Sequence, residues 1–120
     1  MKSYLFVASR APFTSPHTLE LIDTAMVAAV FEHPVRILFR HLAVLGLTNS
    51  DDIRPNGNRN LVKVLNALPT YEIEEIYVCE RALQHFQIES AALPDCAKVV
   101  SLDAQRSLFA EAAVVIGAQG

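Results

Sequence analysis

The chain has 120 residues, a formal net charge of −3 and a sequence pI of about 5.7, and it has no lysine- or arginine-rich run that would grip the phosphates of a nucleic acid. Apolar residues make up 52% of the chain, but the longest unbroken apolar run, residues 25–31, is too short to cross a bilayer. This length fits a single domain spanning residues 1–120.

Strands and helices are predicted to alternate along the chain. Nearly continuous apolar runs predict buried strands of a parallel sheet, and apolar residues at helical spacing predict the helices between them. The strands are expected at residues 4–8, 35–39, 73–78, 98–102 and 113–117, and the helices at residues 16–33, 61–68, 80–86 and 103–109. This order predicts right-handed βαβ units in an α/β fold, a three-layer α/β/α sandwich with a mainly parallel five-stranded sheet.

Two details of the helices are also predicted. The buried stripe of the first helix should contain its regularly spaced apolar residues, which are Leu19, Ile22, Met26, Ala29 and Val30. Asp103 is expected to cap the last helix, because Asp is a preferred N-cap residue.

Residues 41–60 fit the alternating pattern poorly. Four large aliphatic side chains, Leu42, Val44, Leu45 and Leu47, precede the turn-rich residues 49–58, which we expect to be mobile. Leaving such side chains exposed costs roughly 1.5–3 kcal/mol each compared with burial, so we expect this segment to pack against another subunit. The alternative is a short helix folded back on the chain's own sheet. The surplus of apolar residues also predicts an oligomer.

The feature most suggestive of chemistry is Cys79, which lies where the third strand ends and the next helix begins. In α/β proteins this edge of the sheet usually holds the functional site, and the N-terminal amides of a helix favour a thiolate. Arg81 should favour the thiolate as well. The acidic residues nearby should oppose it, namely Glu72, Glu74, Glu75 and Glu80. The alternative is that Cys79 is a small core residue.

Among the four histidines, His41 is the best partner for Cys79, because it follows the second strand and should share the same rim of the sheet. His17 lies in a first helical turn, His33 is expected to cap the end of a helix, and His85 is expected to be exposed. A different function remains open from the residues alone. Ala8, Arg10, His41 and Cys79 together predict a rim that binds a small molecule or an anion.

Several kinds of site are disfavoured. The four glycines are scattered, so there is no glycine-rich phosphate loop and no expected cofactor. Cys79 and Cys96 are the only cysteines, and their spacing fits neither a zinc site nor a structural disulfide. Because the first residues lead directly into a strand without a signal-peptide pattern, we expect a cytoplasmic protein.

The chain resembles the TusC/DsrF branch of the DsrE-like sulfur-relay family. The resemblance rests on residues 65–88, where Leu-Pro-x-Tyr-Glu-Ile-Glu at 68–74 is followed by Ile-Tyr-Val-Cys-x-x-Ala-Leu at 76–83, and on the opening residues 2–13. It implies a flavodoxin-like fold. Residues 40–46 stand where family members usually carry an acidic, glycine-containing loop.

The resemblance also implies a function. Family members form hetero-oligomers, typically three related chains assembled twice, so TusB- and TusD-like (DsrH- and DsrE-like) subunits are the implied partners. Such complexes pass persulfide sulfur towards 2-thiolation of the tRNA wobble uridine, or serve sulfur oxidation in Dsr-type systems. Cys79 falls at the position where the TusD/DsrE branch keeps its sulfur-carrying cysteine, and is therefore the candidate persulfide carrier of an accessory, weakly reactive or non-catalytic subunit.

Overall fold

The computed structural model describes residues 2–10, 17–47 and 61–117. Strands and helices alternate in these ranges as β1 (Tyr4–Ala8), α1 (His17–Val30), β2 (Val35–Phe39), α2 (Leu61–Ala67), β3 (Glu75–Cys79), α3 (Glu80–His85), β4 (Ala97–Val100), α4 (Leu102–Glu111) and β5 (Val114–Ile116). Short 3-10 helices lie at His41–Gly46, Leu68–Tyr71 and Ser90–Ala92. The predicted α/β alternation is confirmed, whereas the predicted mobility of residues 49–58 concerns positions outside the described residues.

The five strands form one sheet in the order β4-β3-β2-β1-β5, and every pair is parallel. Tyr4 of β1 is opposite Val35 on one side and Val114 on the other. Next to this pairing, the carbonyl of Ser3 accepts hydrogen bonds from the N–H groups of Ala113 and Val114, both at 3.0 Å. The first strand therefore lies inside the sheet, beside the last one, and the strand order reverses between them.

The two faces of the sheet carry different helices. From β1 to β4, each strand lies next to the preceding one and always on the same side of it. Right-handed crossovers therefore place α1, α2 and α3 on one face of the sheet. The connection from β4 to β5 runs in the opposite direction across the sheet, so it places α4 on the other face. Side chains alternate accordingly: Phe6 belongs to the larger core under the three helices, and Leu5 packs with Leu108 of α4. Both faces are covered, as the predicted sandwich requires.

Helix α1 buries one stripe and exposes another. Ile22, Ala25 and Ala29 are buried, whereas Val27 and Val30 are exposed. The prediction that Val30 belongs to the buried stripe is wrong, because it lies about 100° around the helix from Ala29. In the described ranges, no helix has the length and apolar character needed to cross a bilayer.

Several helical elements end in a left-handed residue that is not glycine. After α1, Glu32 has φ 66°, and the next N–H, of His33, donates to the carbonyl of Ala28 at 3.2 Å. This is the Schellman pattern of hydrogen bonds. Glu72 and Gln87 take the same conformation, with φ 67° and 55°. Helix α1 therefore ends by local hydrogen bonding of its own backbone, before Pro34 is reached.

The cap of α4 lies before the predicted position. The N-cap is Ser101, whose Oγ accepts a hydrogen bond from the N–H of Ala104 at 3.2 Å. The prediction for Asp103 is therefore wrong: it lies in the first helical turn and pairs with Arg106 at 3.3 Å. A carboxylate in a first turn is still favourable there because of the helix dipole.

The apolar segment after β2 belongs to the chain's own core. Val44 and Leu47 are fully buried, and Leu42 is 45% exposed. The prediction that these side chains pack against another subunit is wrong for Val44 and Leu47, and the alternative of a short helix folded back on the sheet is confirmed. In a 3-10 helix, residues three apart share a face, so Val44 and Leu47 point together into the core formed with β3 and α3.

Candidate functional site

Cys79 is the last residue of β3 and the N-cap of α3, as the sequence predicts. Its backbone is extended, with φ −68° and ψ 119°, and the helix begins at the next residue. The side chain is 6% exposed and makes no capping hydrogen bond with the helix. Its thiol is free, and so is that of Cys96.

A cavity of about 460 Å³ opens in front of Cys79 at the carboxyl ends of β2 and β3. Its walls come from the segment after β2, from α3 and from α4. The lining residues in these three parts are Arg40, His41 and Leu42; Arg81, Ala82, His85 and Phe86; and Leu102 and Gln105. The volume is in the range of small-molecule sites. The expectation that His41 and Cys79 share one rim of the sheet agrees with this arrangement.

The backbone after β2 brings His41 to the cavity wall. The N–H of Arg40 donates to the carbonyl of Ala8 at 2.9 Å, which extends the β1–β2 pairing by one residue. His41 then takes a left-handed conformation with φ 54°, and the 3-10 helix starts. In the described residues, no side-chain hydrogen bond joins His41 to Cys79, so the geometry does not make His41 a base for this thiol.

Arg40 lines the cavity from the other side of the sheet. Its guanidinium carbon lies 5.2 Å from the ring centroid of Phe109, a residue of α4. Its Nε is buried and has no hydrogen-bond partner. Arg40 was not among the predicted site residues, although its position directly after β2 is a signal that would have identified it. Nothing in the local sequence marks Leu102 and Gln105 of α4 as cavity residues.

The acidic surroundings predicted for Cys79 are absent from the cavity wall. Glu75 is the first residue of β3 and Cys79 the last, so at about 3.3 Å per residue their backbones are roughly 13 Å apart. Glu75 pairs with Arg36 at 3.1 Å, and Glu72 and Glu74 precede the strand. The fourth predicted acidic residue, Glu80, is next to Cys79 in the sequence, and it is exposed. The expectation of an acidic site is therefore wrong.

Two residues of the alternative anion site lie elsewhere. Ala8 and Arg10 line a second cavity of about 240 Å³, which also includes Ser9, His17 and Gly117. It lies beside the carboxyl ends of β1 and β5, where the strand order reverses, the usual ligand position in open α/β sheets. The structure thus divides the predicted rim into two cavities and does not bring Arg10 to Cys79.

The remaining candidates have structural surroundings. His33 packs its ring edge-on against Tyr4 at 5.0 Å between centroids, and its buried Nδ1 has no hydrogen-bond partner, so its side chain does not cap α1 as expected. The thiol of Cys96 lies 3.7 Å from the carbonyl of Leu65 and from Oδ1 of Asn66. Burial raises the pKa of Cys96. Among the described residues, no three potential metal ligands cluster.

Comparisons with known proteins agree with the predicted resemblance. The model of the DsrE/DsrF-like family matches residues 2–117. The chain is 26% identical over 84 residues to the intracellular sulfur oxidation protein DsrF of Allochromatium vinosum, covering 70% of this chain and 62% of that one. It is 25% identical over 108 residues to a TusC homolog of Pseudomonas aeruginosa, covering 90% and 91%.

Two further matches extend this result. A TusC homolog of Aliivibrio fischeri is 27% identical over 78 residues, covering 65% of this chain and 66% of that one. The alignments therefore span less than two thirds of this relative and of the DsrF protein. The crystal structure of the ychN protein from E. coli has a TM-score of 0.83 at 19% identity, covering 97% and 98% of the two chains. This likeness concerns the fold.

Proposed function

The chain belongs to the DsrE/DsrF-like family, and from this premise we propose that it is a subunit of a cytoplasmic sulfur-relay hetero-oligomer that supports persulfide transfer. Two relatives are named TusC homologs, and the resemblance to the TusC/DsrF branch implies sulfur delivery towards 2-thiolation of the tRNA wobble uridine. The DsrF relative is named for sulfur oxidation. Two free thiols fit a reducing compartment.

The observation that carries the proposal is the position of Cys79 at the end of β3, in a cavity large enough for a donor group. In the proposed step, the Cys79 thiolate attacks the outer sulfur of a donor persulfide, R–S–SH. A new S–S bond forms at Cys79, the S–S bond of the donor breaks, and the donor leaves as the thiol R–SH. The transferred sulfur extends about 2 Å beyond the cysteine sulfur, where the cavity has room for it.

Exposed apolar side chains support assembly with TusB- and TusD-like subunits. Val27, Val30 and Phe31 lie close together at the end of α1 and are all more than half exposed, Phe31 at 70%. Neighbouring exposed apolar side chains of this size commonly mark a protein interface. The segment at residues 43–47 packs into the chain's own core and therefore does not support a protein interface.

Native mass spectrometry of the chain purified from cells with its bound partners tests both parts of the proposal. We expect related subunits to remain bound, and incubation with a persulfide donor to add one sulfur to this chain that a reducing agent removes. The Cys79→Ser variant should lose the added sulfur. The matched Cys96→Ser variant should keep it, because burial raises the pKa of Cys96 and keeps it protonated. A monomer without an adduct would refute the proposal.

A further inference from the structure

Basic side chains dominate the polar part of the Cys79 cavity. Arg40, His41, Arg81 and His85 line it, and no carboxylate of the described residues does. Glu80 and Asp103 adjoin lining residues in the sequence, but both are exposed and neither forms part of the wall. Arginine remains cationic at all physiological pH values, so the cavity presents at least two positive charges beside the thiol.

Neither arginine is neutralised by a carboxylate of the described residues. In the described part of the chain, Arg40 and Arg81 form no ion pair. Arg40 is held in place by its backbone hydrogen bond to Ala8 and by its stacking on Phe109, yet its buried Nε has no partner. Native proteins rarely leave a buried donor unpaired, and such a group needs an explanation. A bound anion at this wall would be one.

Apart from Cys79 and the buried Gln105, the remaining wall is apolar and consists of Leu42, Ala82, Phe86 and Leu102. The volume of about 460 Å³ exceeds what a single oxyanion fills. A ligand that satisfies both parts of the wall carries a negative charge and also has an apolar body. Cys79 lines the same cavity, and under the proposed function the ligand atom that reacts with its thiol is a sulfur.

We propose that this cavity selects small organic anions that carry a transferable sulfur, with Arg40 and Arg81 binding the carboxylate or sulfonate of the donor. This inference rests on the proposed function and names the substrate class of the same site. The sulfur moves in the exchange described above, in which the donor persulfide leaves as its thiol and no net oxidation occurs. Arg40 and Arg81 act only by attracting and orienting the anionic donor.

The test compares two aromatic disulfides that differ in charge: bis(carboxynitrophenyl) disulfide, which carries two carboxylates, and the neutral dipyridyl disulfide. Their rates of reaction with Cys79 are measured in a Cys96→Ser background. The ratio of the two rates cancels any change in the reactivity of the thiol itself. We expect the ratio to fall about tenfold in Arg40→Gln and in Arg81→Gln, because charges lining a cleft concentrate oppositely charged reactants.

Three controls make the result decisive. Arg40→Lys keeps the charge and should retain most of the ratio. Lys2→Gln removes an exposed charge at the opposite end of the strands and should leave the ratio unchanged. Since Arg81 is exposed, Arg81→Gln carries the test even if Arg40→Gln fails to fold. High salt should lower the wild-type ratio.

The outcomes separate this inference from the proposed function. Equal sensitivity of the ratio to Lys2→Gln and to the two arginine variants would overturn the inference. So would an unchanged ratio in both arginine variants, and the persulfide adduct on Cys79 would then still stand by itself. If neither disulfide reacts with Cys79, the thiol is inaccessible and both proposals fail.

Discussion

The substitution Leu47→Ala tests whether the segment after β2 belongs to the core. Leu47 is fully buried, and the change removes three carbon atoms, which corresponds to about 2.4 kcal/mol of lost hydrophobic transfer at about 0.8 kcal/mol per methylene group. The cavity left behind adds to this loss, so we expect the free energy of unfolding to fall by about 2.5–5 kcal/mol. For Leu42→Ala, at 45% exposure, about 1 kcal/mol is expected, because little enclosed space is created.

Urea unfolding of the isolated chain, followed by circular dichroism, measures this difference. The sequence contains no tryptophan, so fluorescence is a poor probe of the transition. The free energy of unfolding falls by about 1–3 kcal/mol for each molar of urea. Leu47→Ala should therefore lower the urea concentration at the midpoint of unfolding by on the order of 2 M, and Leu42→Ala by well under 1 M. Equal midpoints for the two variants, together with a complex weakened by Leu47→Ala, would refute the internal position of Leu47.

Two further outcomes are expected. Gly117→Ala should destabilise the chain by about 1–3 kcal/mol, since Gly117 has φ +85° and an added Cβ would lie 2.6 Å from the carbonyl oxygen of Val7; an unchanged urea midpoint would contradict this. Because burial raises the pKa of Cys96, the folded chain keeps a proton that the unfolded chain loses near pH 8.5. Stability should therefore be complete below about pH 8 and decline as the pH rises through the folded-state pKa. Cys96→Ala should reduce that decline, and an identical pH profile in the variant would exclude this cause.

The sequence predicted the elements whose signal is local and strong. β1 and β2 are confirmed at their predicted residues, because continuous apolar runs are typical of strands buried on both faces. The junction at Cys79 is confirmed for a similar reason: a short apolar strand is followed at once by a helical pattern. The parallel order then follows from the alternation of strands and helices.

The helix ends and the cavity walls were harder to predict. Glu32, Glu72 and Gln87 occupy left-handed positions where glycine is the usual signal, so nothing in the local sequence marked them. The cavity combines residues from α3 with Leu102 and Gln105 of α4, which lie on helices covering opposite faces of the sheet. Such a combination depends on the three-dimensional path of the chain, which periodicity does not specify.

The pairing of β1 with β5 has a consequence for the synthesis of this protein. While the chain emerges from the ribosome, β1 can pair with β2 early, but its other edge stays open until residues 114–116 have been made. At about 5–20 residues per second, this delay lasts several seconds. During that time an apolar strand with unpaired backbone groups is available to other nascent chains. The edge of β1 that β5 covers is therefore open to pairing with another chain until the last strand arrives.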